Sequence, residues 1–342
     1  ANVPGLHHGG VTTARTFAMT CASASVELVQ AASALTAADT TFAVVADAGR
    51  YYRMTVESGV LVFETTAGGP ATSVPYDALQ HRHLRIRHDC IGDRVHFETS
   101  ADAVTWQVRR SVAAAVSLPA AYLELEAGTY QAEGAPGSAV FDNVRLEANG
   151  VRETFSEQRD PELFTPTSLH EGGYDPELEI FTGGGKLHLR PRAGTAGLRH
   201  SGYATTREID WTGGVASVVV EQPPNPATEA SVTLAVVPQV PGWARATISA
   251  GNLYLQSESM GVRSTVSLPY DAVAHRQLRI RHDVGPDQLV WDTSPDGAVW
   301  TERRRIARPF ALAATRAEIE GGTYRAETDP GELIVDDFLF AR

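Results

Sequence analysis

Three groups of side chains in this sequence could do chemistry, and each occurs twice at a spacing of 194 residues. The first is a pair of arginines, Arg85 and Arg87 in His81-Arg-His-Leu-Arg-Ile-Arg-His88, repeated as Arg279 and Arg281. On an extended strand alternate side chains share a face, so Leu84 and Ile86 point one way and the two guanidiniums the other. Two guanidiniums side by side can hold a carboxylate or a set of sugar hydroxyls. The simpler reading is a cross-strand ladder to the acids of the next strand, where Glu98 and Asp292 lie. The second group is a carboxylate pair, Glu124 and Glu126, again as Glu318 and Glu320. Two residues apart on one strand face, such groups sit roughly 6.5–7 Å apart, near the separation used by glycosidases. Nothing beside them in the sequence reads as a proton-tuning partner, so pairing with arginine or solvation is preferred to hydrolysis. The third group is aromatic: Trp106 and Trp300, Tyr130 and Tyr324. Such rings can stack on a sugar or pack as hairpin staples. Each Trp follows strong turn chemistry, Thr99-Ser-Ala-Asp102 and Thr293-Ser-Pro-Asp-Gly297.

Metal chemistry has thin support. Asp142 and Asp336, in the closing segments of the two copies, are the candidates for calcium, which takes hard oxygen ligands. One shared carboxylate is a meagre set, and no other cofactor is expected. Cys21 and Cys90 both fall in the first copy, and Val284 stands where Cys90 would recur. Two buried thiols and a single disulfide are both open, the disulfide if the protein meets an oxidising compartment. His81/His275 and His88/His282 read as the shared histidine pairs, each expected to be structural. The sequence has no Cys-x-x-Cys, no Gly-x-Ser-x-Gly elbow and no phosphate loop.

These groups need strands to hold them. The stretch from Tyr76 to Asn143 returns from Tyr270 to Asp337 without a gap, with 31 of 68 positions identical, so a domain has been duplicated. Upstream, Leu6-His-His-Gly-Gly10 matches Leu198-Arg-His-Ser-Gly202. The domains expected are residues 1–148 and 149–342, joined at Glu147-Ala-Asn-Gly150. Short runs such as Val26–Val29, Thr41–Val45, Tyr52–Val56 and Val60–Phe63 are separated by turn residues, and Ser217–Val220, Val232–Val236, Arg245–Ile248 and Leu253–Leu255 answer them. Strands at intervals of about 8–12 residues with no long helical period predict an all-β fold, two tandem antiparallel sandwiches of jelly-roll type. Residues 151–195 have no counterpart in the first copy. They contain strand-like Glu153-Thr-Phe-Ser156, Leu178-Glu-Ile-Phe181 and Lys186-Leu-His-Leu-Arg190, so the first domain is expected to lack two or three N-terminal strands. A longer parent chain, a reduced closure, or strands donated by a neighbour through the open edge would each account for this, the last giving self-assembly.

Bulk composition narrows the partners. The 342 residues are 43% hydrophobic and 20% charged, a globular balance, with a net charge of −12. That argues against nucleic acid and against anionic membrane surfaces. No apolar run reaches the ~18 residues that would insert into a bilayer. Lys186 is the single lysine among 29 basic residues, as expected of a GC-rich bacterial gene. Ala1 is not an initiator methionine, which implies residues upstream.

With these pieces assembled, a family resemblance emerges. Glu153-Thr-Phe-Ser156, His275-Arg-Gln-Leu-Arg-Ile-Arg281, Thr293-Ser-Pro-Asp-Gly297 with Trp300, Gly322-Thr-Tyr324 and Asp336-Asp337-Phe338 resemble the concanavalin A-like lectin/glucanase jelly rolls of secreted bacterial and phage-tail proteins. The Ser-x-Asp…Trp turn is also similar to the Asp-box hairpin of sialidase-type propellers, one residue shorter. The superfamily's glucanases carry a Glu-x-Asp-x-x-Glu strand, which is absent here; Leu123-Glu-Leu-Glu126 lacks its second half. The resemblance therefore implies a secreted or particle-surface module that binds a glycan or polysaccharide without cleaving it. A structural part of a surface fibre or virion tail is the alternative, and a glycoside hydrolase the third reading.

Overall fold

The computed structural model describes residues 4–47, 49–66, 69–114, 118, 120–148, 150–155, 163–169 and 174–342. They divide into two compact units, residues 1–149 and 150–342. Every element among them is a strand or a turn, and no helix long and apolar enough to cross a membrane is present.

The first unit has eleven strands: β1 (His7–Thr12), β2 (Ala22–Gln30), β3 (Ala38–Asp47), β4 (Arg50–Glu57), β5 (Val60–Thr65), β6 (Thr72–Pro75), β7 (His83–Asp89), β8 (Arg94–Ser100), β9 (Gln107–Ala113), β10 (Tyr122–Thr129) and β11 (Val140–Ala148). They form two antiparallel sheets, ordered β1-β10-β3-β4-β5-β6 and β11-β2-β7-β8-β9. The second unit has fifteen: β12 (Gly150–Glu153), β13 (Phe164–Thr167), β14 (Glu179–Gly183), β15 (Lys186–Arg190), β16 (Arg199–Thr205), β17 (Val215–Gln222), β18 (Ala230–Pro238), β19 (Gly242–Ser249), β20 (Asn252–Ser259), β21 (Val262–Pro269), β22 (Gln277–Asp283), β23 (Gln288–Ser294), β24 (Thr301–Ala307), β25 (Thr315–Thr323) and β26 (Leu333–Ala341). Its sheets run β14-β15-β26-β17-β22-β23-β24, with β12 also on β26, and β13-β16-β25-β18-β19-β20-β21. Both units are antiparallel two-sheet β-sandwiches.

Alternation makes the layers. In β7 and β22 the leucine and isoleucine of Leu-Arg-Ile-Arg are buried and the arginines between them half-buried, so each strand feeds one face into the core. Each unit closes its own core, around Phe42, Phe63 and Phe97 in the first and Leu234, Ile280 and Trp291 in the second. The copies exchange bulk across that core. In the first, Tyr52 packs 6.2 Å from Phe97. In the second, Ala244 stands on the strand equivalent to that of Tyr52, and Trp291 replaces Phe97 and reaches across to donate to the Arg245 carbonyl at 3.0 Å. A larger ring on one strand is matched by a methyl on the strand facing it, which keeps the volume filled.

Three expectations are refined. Four strands of the second unit, β12 to β15, lack counterparts among the described residues of the first, rather than two or three. The extra one is β13, whose Pro166 reads as a breaker. It is tolerated because β13 pairs only with β16 and needs no second row of hydrogen bonds. Of Glu153-Thr-Phe-Ser156, only Glu153 belongs to a strand, and Ser156 lies outside the described residues. Between the two sequence alternatives for the cysteines, the structure has the disulfide: Cys21, before β2, is bonded to Cys90, after β7. The second unit has Gly213 and Val284 at those places, and a Cβ on Gly213 would meet Val284 at 3.2 Å, so packing replaces the crosslink there.

Candidate functional site

The sequence-derived candidates separate onto two different sheets. Arg85 and Arg87 sit on β7 beside Glu98 of β8, with Arg85 Nε 2.5 Å and Arg87 Nη2 2.9 Å from the carboxylate. Arg279 and Arg281 close on Asp292 at 2.7 and 2.8 Å. The cross-strand ladder is thus formed in both units. Burial pushes the Glu98 carboxyl up, and the two guanidiniums outweigh it and hold it below the usual range. Trp106 lies under Arg85 and Trp300 under Arg279, each 4.0 Å from ring centre to guanidinium carbon. The indole N–H groups donate to the Ala103 and Gly297 carbonyls. Asp102 accepts the Val104 and Thr105 amides, which hold it down at about 2, and Asp296 does the same for Ala298 and Val299. These six residues form a repeated hairpin frame. The cleft beside Arg85 and Trp106, about 60 Å³, is the size of a pair of waters.

Asp142 and Asp336 have a local task. The residues after them, Asn143 and Asp337, have positive φ of 50° and 44°, at β-bulges in β11 and β26. Each Asp accepts the amide of that residue at 2.7 Å, which fixes the bulge. Among the described residues no three His, Cys, Asp or Glu side chains gather as a metal cluster.

Tyr130 and Tyr324 directly follow β10 and β25 of the other sheet, the strands that carry the carboxylate pairs. Leu123 and, in the second unit, Ala317 and Ile319 fill the core, so Glu124, Glu126, Glu318 and Glu320 face outward. Residues directly opposite in an antiparallel register share a face. The register therefore brings Thr233 and Ala235 of β18, Arg245 and Thr247 of β19, and Gln256 of β20 onto the face of Glu318 and Glu320. The first unit places Thr41, Ala43, Arg53, Thr55 and Glu64 identically around Glu124 and Glu126. On the far side of the glutamates, Gly10 and Gly202 are close-approach positions. A Cβ on Gly202 would lie 2.0 Å from the Ile319 carbonyl oxygen, so no side chain can stand there.

The resulting constellation occurs twice. The Thr41–Thr55 and Thr233–Thr247 hydroxyls are 2.9 Å apart in each copy. Arg53 Nη2 lies 2.6 Å from Glu64, and Arg245 Nε donates to Gln256 at 2.7 Å. Arg53 covers Tyr51 at 4.7 Å, as Arg245 covers Trp243 at 4.4 Å. The His8 ring is 4.7 Å from Tyr130 and contacts Asp39 at 3.0 Å; the His200 ring is 4.7 Å from Tyr324 and contacts Ser231 at 3.0 Å. Burial raises the pKa of Tyr130, Tyr324 and Glu126, and lowers that of Arg245.

The copies differ at the glutamates. Glu318 is 1% exposed. Arg316 reaches its Oε1 at 2.9 Å, while Oε2 has no hydrogen-bond partner among the described residues. Burial, with Glu320 adding to it and Arg316 opposing, pushes its pKa up to about 7. Glu320 is wholly enclosed and accepts from Ser168 Oγ at 3.1 Å and the Leu169 amide at 3.0 Å. Beside this cluster an open cleft of about 280 Å³ is lined by Arg245, Thr247, Ser249, Tyr254, Gln256 and Tyr324.

Sequence reading found the tyrosines and glutamates of this face and missed Arg53/Arg245, Thr41/Thr233 and Thr55/Thr247. The signal was present, since each pair recurs at an offset of 192, two residues from that of the gap-free block. His8/His200 is a third shared histidine pair, beyond the two read from the sequence. The other two are structural: His81 and His275 accept the Asp77 and Asp271 amides, and His88 and His282 those of Cys21 and Gly213.

No family model and no curated protein matches the chain. Among solved structures it is similar to one from a study of endo-acting O-glycanases that members of the human gut microbiota express to initiate mucin breakdown (11% identity, 56% of this chain and 98% of that chain, TM-score 0.43). It is also similar to LamAcat from Zobellia galactanivorans (9% identity, 57% and 97%, TM-score 0.43). A third is the CBM2 module of the evolved Dit of Lactobacillus casei BL23 phage J-1 (12% identity, 56% and 94%, TM-score 0.40).

Proposed function

We propose that this chain is a non-catalytic, extracellular carbohydrate-binding and adhesion module, meeting its glycan on the outward faces of the sheets that carry Arg53 and Arg245. The observation that carries this reading is one constellation built twice: a guanidinium on an aromatic ring, paired threonine hydroxyls, and a tyrosine. A pyranose offers an apolar C–H face to a ring and hydroxyls to fixed donors and acceptors. The cleft of about 280 Å³ beside Arg245 and Tyr324 supports a site of one or two sugar rings. Two weak sites on one chain would add by avidity. The Cys21–Cys90 disulfide supports exposure to an oxidising compartment.

A glycoside hydrolase is the second reading, favoured by one observation: Glu318, at about 7, would hold a proton near neutrality as a general acid does. Against it, Glu318 and Glu320 are both enclosed and engaged. A glycan array, run with and without calcium, tests the readings together. Binding is expected, falling at least tenfold in Arg245→Ala and in Tyr324→Ala. A blank array under both conditions would sink the binding reading and favour a structural component of a fibre or tail. Reducing ends released by the intact chain and lost in Glu318→Gln would make it an enzyme.

A further inference from the structure

The second unit shows what a complete sandwich needs along its closing strand. β26 pairs with β17 on one side. Its other side is taken by β12, from Gly150 opposite Ala341 to Glu153 opposite Phe338, and by β15, from Leu187 opposite Val335 to Leu189 opposite Leu333. Phe164 of β13 completes the seal. Its ring lies 5.6 Å from Phe338, 6.3 Å from Tyr203 of β16 and 6.4 Å from Phe155, so it bridges the margins of both sheets.

In the first unit none of this is in place. β11 pairs with β2, and among the described residues no strand pairs its other side. Phe338 and Phe340 are fully buried, whereas their counterparts Val144 and Leu146 are each 47% exposed. Val11 of β1, the counterpart of Tyr203, is 67% exposed. A cavity of about 360 Å³ opens beside these strands, lined among others by Ala38, Ala127, Gly128 and Ala139. Ala127 and Ala139 stand where the second unit has Gly321 and Leu333. There, the space over Gly321 is filled by Leu333 and Leu189, at 2.4 and 3.4 Å from the position of a Cβ. The cavity therefore lies where Leu333 and Leu189 pack in the other copy, and its lining also includes His7, Asp39 and Glu133.

We propose that the open side of the first unit is a strand-acceptor groove for a polypeptide segment from outside residues 1–342. The segment would run antiparallel to β11, carry apolar side chains two residues apart as Leu187 and Leu189 are, and bring an aromatic plug to Val11 and Val144. Backbone pairing along an open edge supplies affinity and the socket supplies specificity. A second copy of this chain is a poor donor. Each copy has one such segment, with Leu187 and Leu189 already buried in its own second unit, so moving it would open one sandwich to close another. The groove is independent of the glycan reading.

The test is a full chain carrying an extra copy of residues 150–195 fused before Ala1, at high effective concentration for the groove, examined by hydrogen exchange. Amides of β11 are expected to exchange at least tenfold more slowly than in the unfused chain. The gain should vanish when Leu187→Asp and Leu189→Asp are made in the extra copy alone. A synthetic peptide of residues 150–192, added in trans, should compete with a labelled version at one site per chain. Unchanged β11 exchange in the fusion together with no peptide binding would overturn the proposal. So would a concentration-dependent dimer of the unfused chain that Val144→Lys dissolves, because the edge would then belong to a second copy.

Discussion

Glu318 sits in an environment far from its ordinary one. Its carboxyl titrates near 7 instead of 4.5, because burial opposes the charge more than Arg316 supports it. The folded state therefore binds this proton more tightly than the unfolded state does. The stabilisation is fully present below about pH 4.5 and is lost as the pH rises through about 7, on the order of 3 kcal/mol in all. Glu318→Gln is expected to remove that part of the pH dependence and to leave the second unit more stable than the parent at pH 8, measured by urea denaturation at several pH values. Equal pH profiles for the two proteins would refute the raised pKa. Glu98 makes the opposite case, a buried acid held charged by two arginines. Glu98→Gln should cost the first unit about 2–3 kcal/mol, less than a fully enclosed pair because Arg85 and Arg87 still touch solvent. The ladder was legible in the sequence because its partners are set by parity and by a short hairpin. The enclosure of the neighbouring Glu320 was not, because Ser168 and Leu169 arrive from about 150 residues away.

At the scale of elements, the two copies show how a sandwich tolerates change. Tyr52 with Phe97 and Ala244 with Trp291 fill equivalent space. Phe97→Trp alone is expected to overpack the first unit by about 1–3 kcal/mol, and Tyr52→Ala alone to cost several kcal/mol through the cavity it leaves. Together they should recover much of the loss, and a double-mutant cycle measures the coupling. Additive losses would mean that the two sheets do not share that volume. The constellation around Arg53 and Arg245 is also an element-scale object. Arg53, Thr41 and Glu124 stand on three different strands, and their meeting depends on the registers of β3 with β4 and β10.

Over the whole molecule, the asymmetry between the units has a consequence for stability. Among the described residues the first unit has four strands fewer and an edge with no paired strand, and it alone has a crosslink, closing 69 residues of chain. By the loop-entropy model such a crosslink is worth about 4 kcal/mol. Cys21→Ser with Cys90→Ser should lower the melting temperature of the first unit and leave that of the second in place, seen as separate shifts in a calorimetric scan. A shift of both transitions together would show that the units unfold as one.

The sequence by itself determined the duplication, the all-β class, the face each strand residue takes, and the hairpins around Asp102 and Asp296. All of these follow from periodicity and turn chemistry within a dozen residues. Only the tertiary structure decided that Cys21 meets Cys90, that Arg245 and Tyr324 share a face with Glu318, and that Ala38, Ala127 and Ala139 line one open cavity. Those are pairings between strands distant in sequence. Their register is set by how two sheets fill a common core, and parity along a single strand does not contain that information.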